Sequence, residues 1–321
     1  MCGISGIIMF EGRPESEAVQ KMNLAQHYRG PDGSGIFSSE AICFGHVRLS
    51  IIDLAHGAQP FVDEGEQIVL TYNGEVYNYR ELKTELARDF QFKTDSDTEV
   101  VLKSYQKWGI ACLERFRGMF AFALYDKKNQ KVFLVRDRLG IKPLYYYQSS
   151  KYLVFCSELQ ALTASGIVPK EIEPSSISSY LKYQYVPTPA SIYRNVYKLP
   201  PAHYLELDLK AQKNSLHPFW QLPLPKPMNS KDWLGQLNEL IDNTISLYCR
   251  ADVPFGSFLS GGVDSTLVTG AMSKCLSTPL HTFSVGFEEQ RHSELEYARE
   301  VSRNLKTVSH EKVVSPTIDE A

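Results

Sequence analysis

Up to about residue 210 the chain alternates short apolar, β-branched and aromatic runs with polar breaks. This pattern predicts strands over residues 3–10, 42–53, 67–72, 119–125, 132–136, 144–147 and 152–156. Two stretches switch to helical spacing: residues 79–88 carry Leu82 and Leu86 one turn apart, and residues 98–108 carry Val101, Leu102 and Tyr105 on one face. Together these predict antiparallel sheet covered by helices. Pro200 and Pro201, then Pro218, Pro223, Pro225 and Pro227, break regular structure. They predict a first domain of residues 2–216 and a connector of residues 217–231.

The remaining stretch, residues 232–321, has a different rhythm. Leu237, Ile241, Ile245 and Tyr248 recur at helical spacing within residues 232–250, and a short apolar strand over 253–259 runs into Ser260-Gly261-Gly262-Val263-Asp264-Ser265. A helix over 266–275, a strand over 280–287, a helix over 293–304 opened by the capping pattern Ser293-Glu294-Leu295-Glu296, and a strand over 307–314 follow. This alternation predicts a parallel α/β sheet. Three parallel strands are few for such a sheet, so the expectation is that Ala321 is a truncation point.

With 321 residues, 43% of them hydrophobic and 22% charged, the chain has material for two cores. A net charge of −3 argues against a nucleic-acid partner. The amino terminus has neither a basic leader nor a sustained apolar run, which predicts no membrane association and a cytosolic protein. Cysteines at 2, 43, 112, 156, 249 and 275 show no metal-binding or disulfide spacing, and five of them read as packing residues.

Two features carry chemistry. Removal of Met1 would leave Cys2 with a thiol and a free α-amine, a nucleophile and a base on one residue. The Ser260–Ser265 loop, between strand and helix, offers glycine-permitted backbone N–H groups, a helix amino terminus and two hydroxyls to a pyrophosphate, with Asp264 as an oxygen ligand for Mg²⁺. No Gly-Lys-Ser/Thr sequence accompanies it, so γ-phosphoryl transfer is not expected.

Longer motifs span the chain: Met-Cys-Gly-Ile at the start, Arg29-Gly30-Pro31-Asp32-Gly33, His46 to Asp53, Tyr72-Asn73-Gly74-Glu75-Val76-Tyr77-Asn78, Thr94 to Glu99, Arg136 to Tyr146, and Ser260 to Ser265. In these the chain resembles the glutamine-hydrolysing asparagine synthetases. The resemblance implies an α+β then α/β chain: an N-terminal-nucleophile αββα sandwich, then the first part of a parallel-sheet ATP-pyrophosphatase (adenine nucleotide alpha hydrolase-like) domain. It implies that Cys2 attacks the glutamine amide and that Asn73 and Gly74 hold the oxyanion. Arg48 and Asp97 would hold the substrate's carboxylate and ammonium, with Leu49, Ser50, Ile51, Ile52 and Glu75 completing the pocket.

ATP would meet Leu259, Ser260, Gly261, Gly262, Asp264, Ser265 and the Val285 backbone, with Mg²⁺ at Asp264. The implied reaction converts ATP, aspartate, glutamine and water to AMP, diphosphate, asparagine and glutamate, with ammonia passing inside the protein. Residues binding aspartate would lie beyond Ala321, and the oligomeric state is open, a homodimer included. Taken singly, Asn73-Gly74 also reads as a hairpin turn, Arg48 as an exposed strand charge and Asp97 as part of a helix cap. A relative that amidates another carboxylate, a fragment that only hydrolyses glutamine, or a non-catalytic glutamine- or nucleotide-binding module, are the alternative readings.

Overall fold

In the computed structural model, which describes residues 1–225, 232–288 and 293–315, contacts divide the chain into two units, Met1–Leu224 and Pro225–Ala321. The first is built on two six-stranded sheets. One has the order β10 (Val196–Lys198), β8 (Tyr145–Gln148), β9 (Tyr152–Cys156), β1 (Gly3–Met9), β3 (Ile42–Arg48), β2 (Gly33–Ser38). The other has the order β12 (Lys213–Pro218), β11 (His203–Asp208), β7 (Lys131–Arg136), β6 (Gly118–Asp126), β5 (Ile68–Val76), β4 (Phe61–Val62). Every pairing within them is antiparallel.

Because successive side chains point to opposite faces, each sheet can bury both. Ile4, Ile8, Ile42 and Phe44 of the first sheet meet Val69, Ala121, Ala123 and Leu134 of the second in one inner core. On the outer side of the first sheet, Ile7, Cys43 and Val154 pack against helices α1 (Ser16–Ala25) and α4 (Leu159–Ala164). On the outer side of the second, Leu70, Tyr72, Phe120 and Phe122 pack against α2 (Tyr79–Leu86) and α3 (Asp97–Trp108). The result is an αββα sandwich, with a further helix α5 (Pro174–Tyr183). Burying each such side chain stabilises the unit by roughly 1.5–3 kcal/mol. Gly6 is required where the inner core is tightest, since a Cβ there would lie 2.5 Å from the Phe155 ring.

Several elements depart from the periodicity. Asn73 and Gly74 do not form a turn: they lie within β5, opposite Ala121 and Phe120 of β6. A Cβ on Gly74 would meet the Met119 carbonyl at 2.3 Å, so the glycine serves close strand approach. The expected strand 42–53 stops at Arg48, and the chain turns through Asp53 with φ 47°. Pro200 and Pro201 lie inside the first unit, directly before β11, and Pro218 closes the edge strand β12. Residues 226–231 of the expected connector, Pro227 among them, lie outside the described residues, as does Ala321. The cysteines differ too: Cys43, Cys112 and Cys156 are buried, but Cys249 is half-buried and Cys275 exposed. Of the tryptophans, Trp108 packs on the outer core while Trp233 is exposed.

The second unit contains α6 (Trp233–Tyr248), β13 (Gly256–Phe258), α7 (Val263–Ser273), β14 (His281–Phe287), α8 (Leu295–Leu305) and β15 (Val308–Val314). Its strands are parallel in the order β13-β14-β15, as the alternation predicts. The last helix begins at Leu295 and its capping residue Glu294 makes no side-chain bond, so the Ser293 capping pattern is not used as such.

After β7 the chain is folded around a buried carboxylate and a half-buried guanidinium. The Asp137 carboxylate, 1% exposed, accepts from the backbone N–H groups of Phe120 (3.2 Å), Leu139 (3.1 Å), Ile141 (2.9 Å) and Lys142 (2.9 Å). The Arg136 guanidinium donates to the carbonyls of Gly140, Lys142 and Leu199. Replacing Asp137 with Ala orphans its donors, of which the Phe120 and Lys142 N–H groups are buried, at about 1–3 kcal/mol for each buried one before relaxation. Asp137→Ala should therefore lower the first unit's stability by about 3 kcal/mol or more, read as a lower urea midpoint.

Candidate active site

The inner faces of the two sheets end together. Arg48 continues the inward row of Phe44 and His46 on β3, Asn73 continues that of Val69 and Thr71 on β5, and Cys2 precedes Ile4 at the start of β1. The register Gly3 to Val47 brings Cys2 to the same end as Arg48. There a cavity of about 180 Å³ is lined by Cys2, Arg48, Leu49, Ile51, Ile52, Asn73, Gly74, Glu75 and Asp97, all of them expected from the sequence. Ser50 is not on its wall, and its N–H donates to Asp32 at 2.8 Å.

Cys2 is partly accessible. Its sulfur accepts from the Leu49 N–H at 3.4 Å, while burial pushes the thiol's pKa up. Behind it, Arg29 donates to the Cys2 carbonyl at 2.9 Å and pairs with Glu158, so the Cys2 backbone is clamped. Asn73 lines the same cavity and is 1% exposed, and among the described residues its Nδ2 is a buried donor without a partner. A buried amide left unpaired is costly, and one carried by a cavity-lining residue is suited to receive a ligand's oxygen.

Asp97 lies in the first turn of α3, but the cap is Ser96, which accepts from the Thr98 N–H. The Asp97 carboxylate instead turns inward and accepts from Tyr72 Oη at 2.7 Å and the Val76 N–H at 3.1 Å. Burial outweighs these bonds and raises its pKa to about 6. Arg48 is no surface charge: it donates to the carbonyls of Ile52, Asp53 and Leu54, pinning the loop that follows β3 against the cavity. His46, fully buried behind it, is held neutral by burial with a pKa of about 3 and so is no base near neutral pH.

Sequence reasoning missed several wall residues. Gln59 bridges Tyr72, accepting from its N–H at 2.7 Å and donating to its carbonyl at 3.1 Å. Met119 and Ile141 add apolar surface, and Lys142 adds a buried cation. Lys142 and Ile141 were visible inside the Arg136–Tyr146 motif; for Gln59 the local pattern carries no signal.

In the second unit the Ser260–Ser265 loop runs from β13 into α7. Gly261 has φ +87°, and a Cβ there would meet Tyr297 Cβ at 2.6 Å, so only glycine makes this turn. Gly262 caps α7. Ser260 Oγ accepts from the Gly262 N–H at 3.3 Å and lies 3.1 Å from Ser265 Oγ. Leu259 is buried and its N–H donates to the Phe283 carbonyl, while Val285 lies on the exposed side of β14. Both hydroxyls and the first turn of α7, with Asp264 exposed on it, face solvent as an anion site would require.

Residues 1–220 match the glutamine amidotransferase domain family, and residues 236–319 match the asparagine synthase family. The chain is 39% identical to a putative glutamine-hydrolyzing asparagine synthetase of Methanocaldococcus jannaschii, over 97% of this chain and 64% of that protein. It is 35% identical to glutamine-hydrolyzing asparagine synthetase 1 of Bacillus subtilis, over 98% of this chain and 50% of that protein. The chain thus spans between half and two thirds of these relatives. Among solved structures, glutamine phosphoribosylpyrophosphate amidotransferase from B. subtilis shares the fold, with a TM-score of 0.51 at 16% identity over 99% of this chain and 82% of that one.

The raised thiol at Cys2 has a direct consequence while Met1 is in place. Alkylation by iodoacetamide near neutral pH should label exposed Cys275 well before Cys2, and the Cys2 rate should climb as pH rises. Peptide mass mapping over time reads both.

Proposed function

The chain belongs to the glutamine amidotransferase domain family through residues 1–220, and on that premise we propose that its first unit hydrolyses glutamine at Cys2. The observation that carries this reading is the unpartnered, buried Asn73 Nδ2 in the cavity that Cys2 lines. Once Met1 is removed, the Cys2 amine takes the thiol proton as sulfur attacks the amide carbon. The oxygen, becoming negative, is met by Asn73 and the Gly74 N–H. The nitrogen leaves as ammonia with that proton, and water then cleaves the thioester to glutamate. Among the described wall residues there is no histidine, which favours the amine as base. Arg48 answers the substrate carboxylate and Asp97 its ammonium; glutamine carries both groups at one end.

In the complete protein the reading continues in the second unit. ATP and aspartate form an acyl-adenylate and diphosphate, and ammonia displaces AMP to give asparagine. Leu259, Ser260, Gly261, Gly262, Ser265 and the Val285 backbone are the proposed ATP contacts. Among the described residues no group of three or more His, Cys, Asp or Glu could cage a metal ion. Asp264, exposed on the first turn of α7, fits Mg²⁺ bound through one carboxylate, with nucleotide oxygens and water completing its shell, and the ion would offset phosphate charge. No helix among the described residues is long and apolar enough to cross a membrane. A cytosolic location is consistent with the unpaired cysteines.

Glutamate release by the Met1-free chain tests the first half. Cys2→Ala should abolish it, and Asn73→Ala should lower kcat by about 10²–10³ with little change in KM; full activity of either variant sinks the reading. For the longer protein, Cys2→Ala should spare synthesis from added ammonia, and product analysis with aspartate against other carboxylic acids decides the acceptor.

A pH effect follows from Asp97. Its carboxyl is charged above its pKa of about 6 and is neutralised as pH falls through that value, so its hold on the ammonium is lost there. KM for glutamine should rise about tenfold for each unit below that point. Asp97→Asn should raise KM throughout and flatten the dependence.

A further inference from the structure

The loop organised by Arg136 and Asp137 delivers to the cavity a cation that the steps above leave without a task. Lys142 is 3% exposed and lines the same cavity as Cys2, Asn73 and Glu75. Its backbone is held at both ends, the N–H by Asp137 and the carbonyl by Arg136, so the side chain cannot easily leave. Its Nζ donates to the Met1 thioether at 3.3 Å. A thioether is a weak acceptor for a buried ammonium. It also belongs to the residue whose removal creates the Cys2 amine, at the nitrogen that had joined Met1 to Cys2.

Resting on the reading of Cys2 as nucleophile and its amine as base, we infer that Lys142 is a positioning residue that keeps the freed Cys2 amine in its unprotonated form. A fixed ammonium at the cavity wall disfavours a second positive charge on the neighbouring nitrogen and favours the negative charge that the sulfur acquires. The balance is set by the charges around it. Burial, the largest cause, together with Arg29 and Lys142 lowers the pKa of the terminal amine in the unprocessed chain, against the Cys2 thiolate and Asp32. Glu75 and Asp97 raise the thiol's pKa, against the terminal amine, which lowers it. Burial lowers the pKa of Lys142 itself, as Arg29 does, against Glu75, which raises it.

The test uses the Met1-free full chain and glutamate release from glutamine between about pH 5.5 and 9.5. Lys142→Met should shift the ascending limb of kcat/KM up by about one unit, giving about tenfold lower activity near neutral pH that recovers in alkali, with KM there unchanged. Lys142→Arg should restore the original limb. A uniform loss with the limb unmoved, or no change, overturns the inference. If Lys142→Met fails to fold, the ¹⁵N shift of the Cys2 amine in the unaltered chain decides: titration below about 7.7 is expected, and titration at or above it overturns the proposal. Persistent glutamate release by Cys2→Ala would instead sink the reading of the nucleophile, whereas an inactive Cys2→Ala beside an unmoved Lys142→Met limb would sink this inference alone.

Discussion

The face-to-face packing of two antiparallel sheets is the constraint on which the first unit depends. Once Ile4, Ile8 and Phe44 are committed to the inner layer against Val69, Ala121 and Leu134, the two-residue period of a strand dictates where the next inward side chains emerge. Cys2, Arg48, Asn73 and Met119 are those next residues, and they line one cavity. Burial of ordinary apolar side chains thus supplies the energy that gathers the polar ones.

Around that opening polar side chains hold loops as well as one another, as Tyr72 does Asp97. Asp137 and Arg136 wind the segment that ends in Lys142, Arg48 pins the segment after β3, and Gln59 ties the chain before β4 to Tyr72. Among the described residues Asn73 Nδ2 is one of several buried polar atoms without a hydrogen-bond partner, with Arg29 Nη2, His46 Nε2 and Ser104 Oγ, and it is the one of these four whose residue lines the cavity. At Asp97 burial raises the pKa in spite of two hydrogen bonds accepted by one oxygen.

The second unit follows a different economy. Its parallel strands and intervening helices place a glycine-dependent turn at the carboxyl end of β13, where the unpaired amides of α7 begin. The requirement is local. Gly261 must turn where Tyr297 leaves no room, and the two serines brace the loop through each other and through Gly262.

Periodicity in the sequence determined the central strands, the helices α2 and α3 of the first unit and the βαβ alternation of the second, because these segments bury regular faces and their pattern is visible without partners, whereas α1, α4 and α5 were not legible in it. The motifs singled out residues that line the cavity, Cys2, Arg48, Asn73 and Asp97 among them. Tertiary structure alone decided what periodicity cannot express. The glycine-rich β2 and polar edge strand β12 owe their existence to neighbours that complete their hydrogen bonds. Asn73-Gly74 became strand instead of turn because β6 pairs along its whole length. Arg48 and Asp97 point inward, and Lys142 reaches the Met1 thioether beside Cys2, because packing selects a side chain's direction, which a string of residues leaves free.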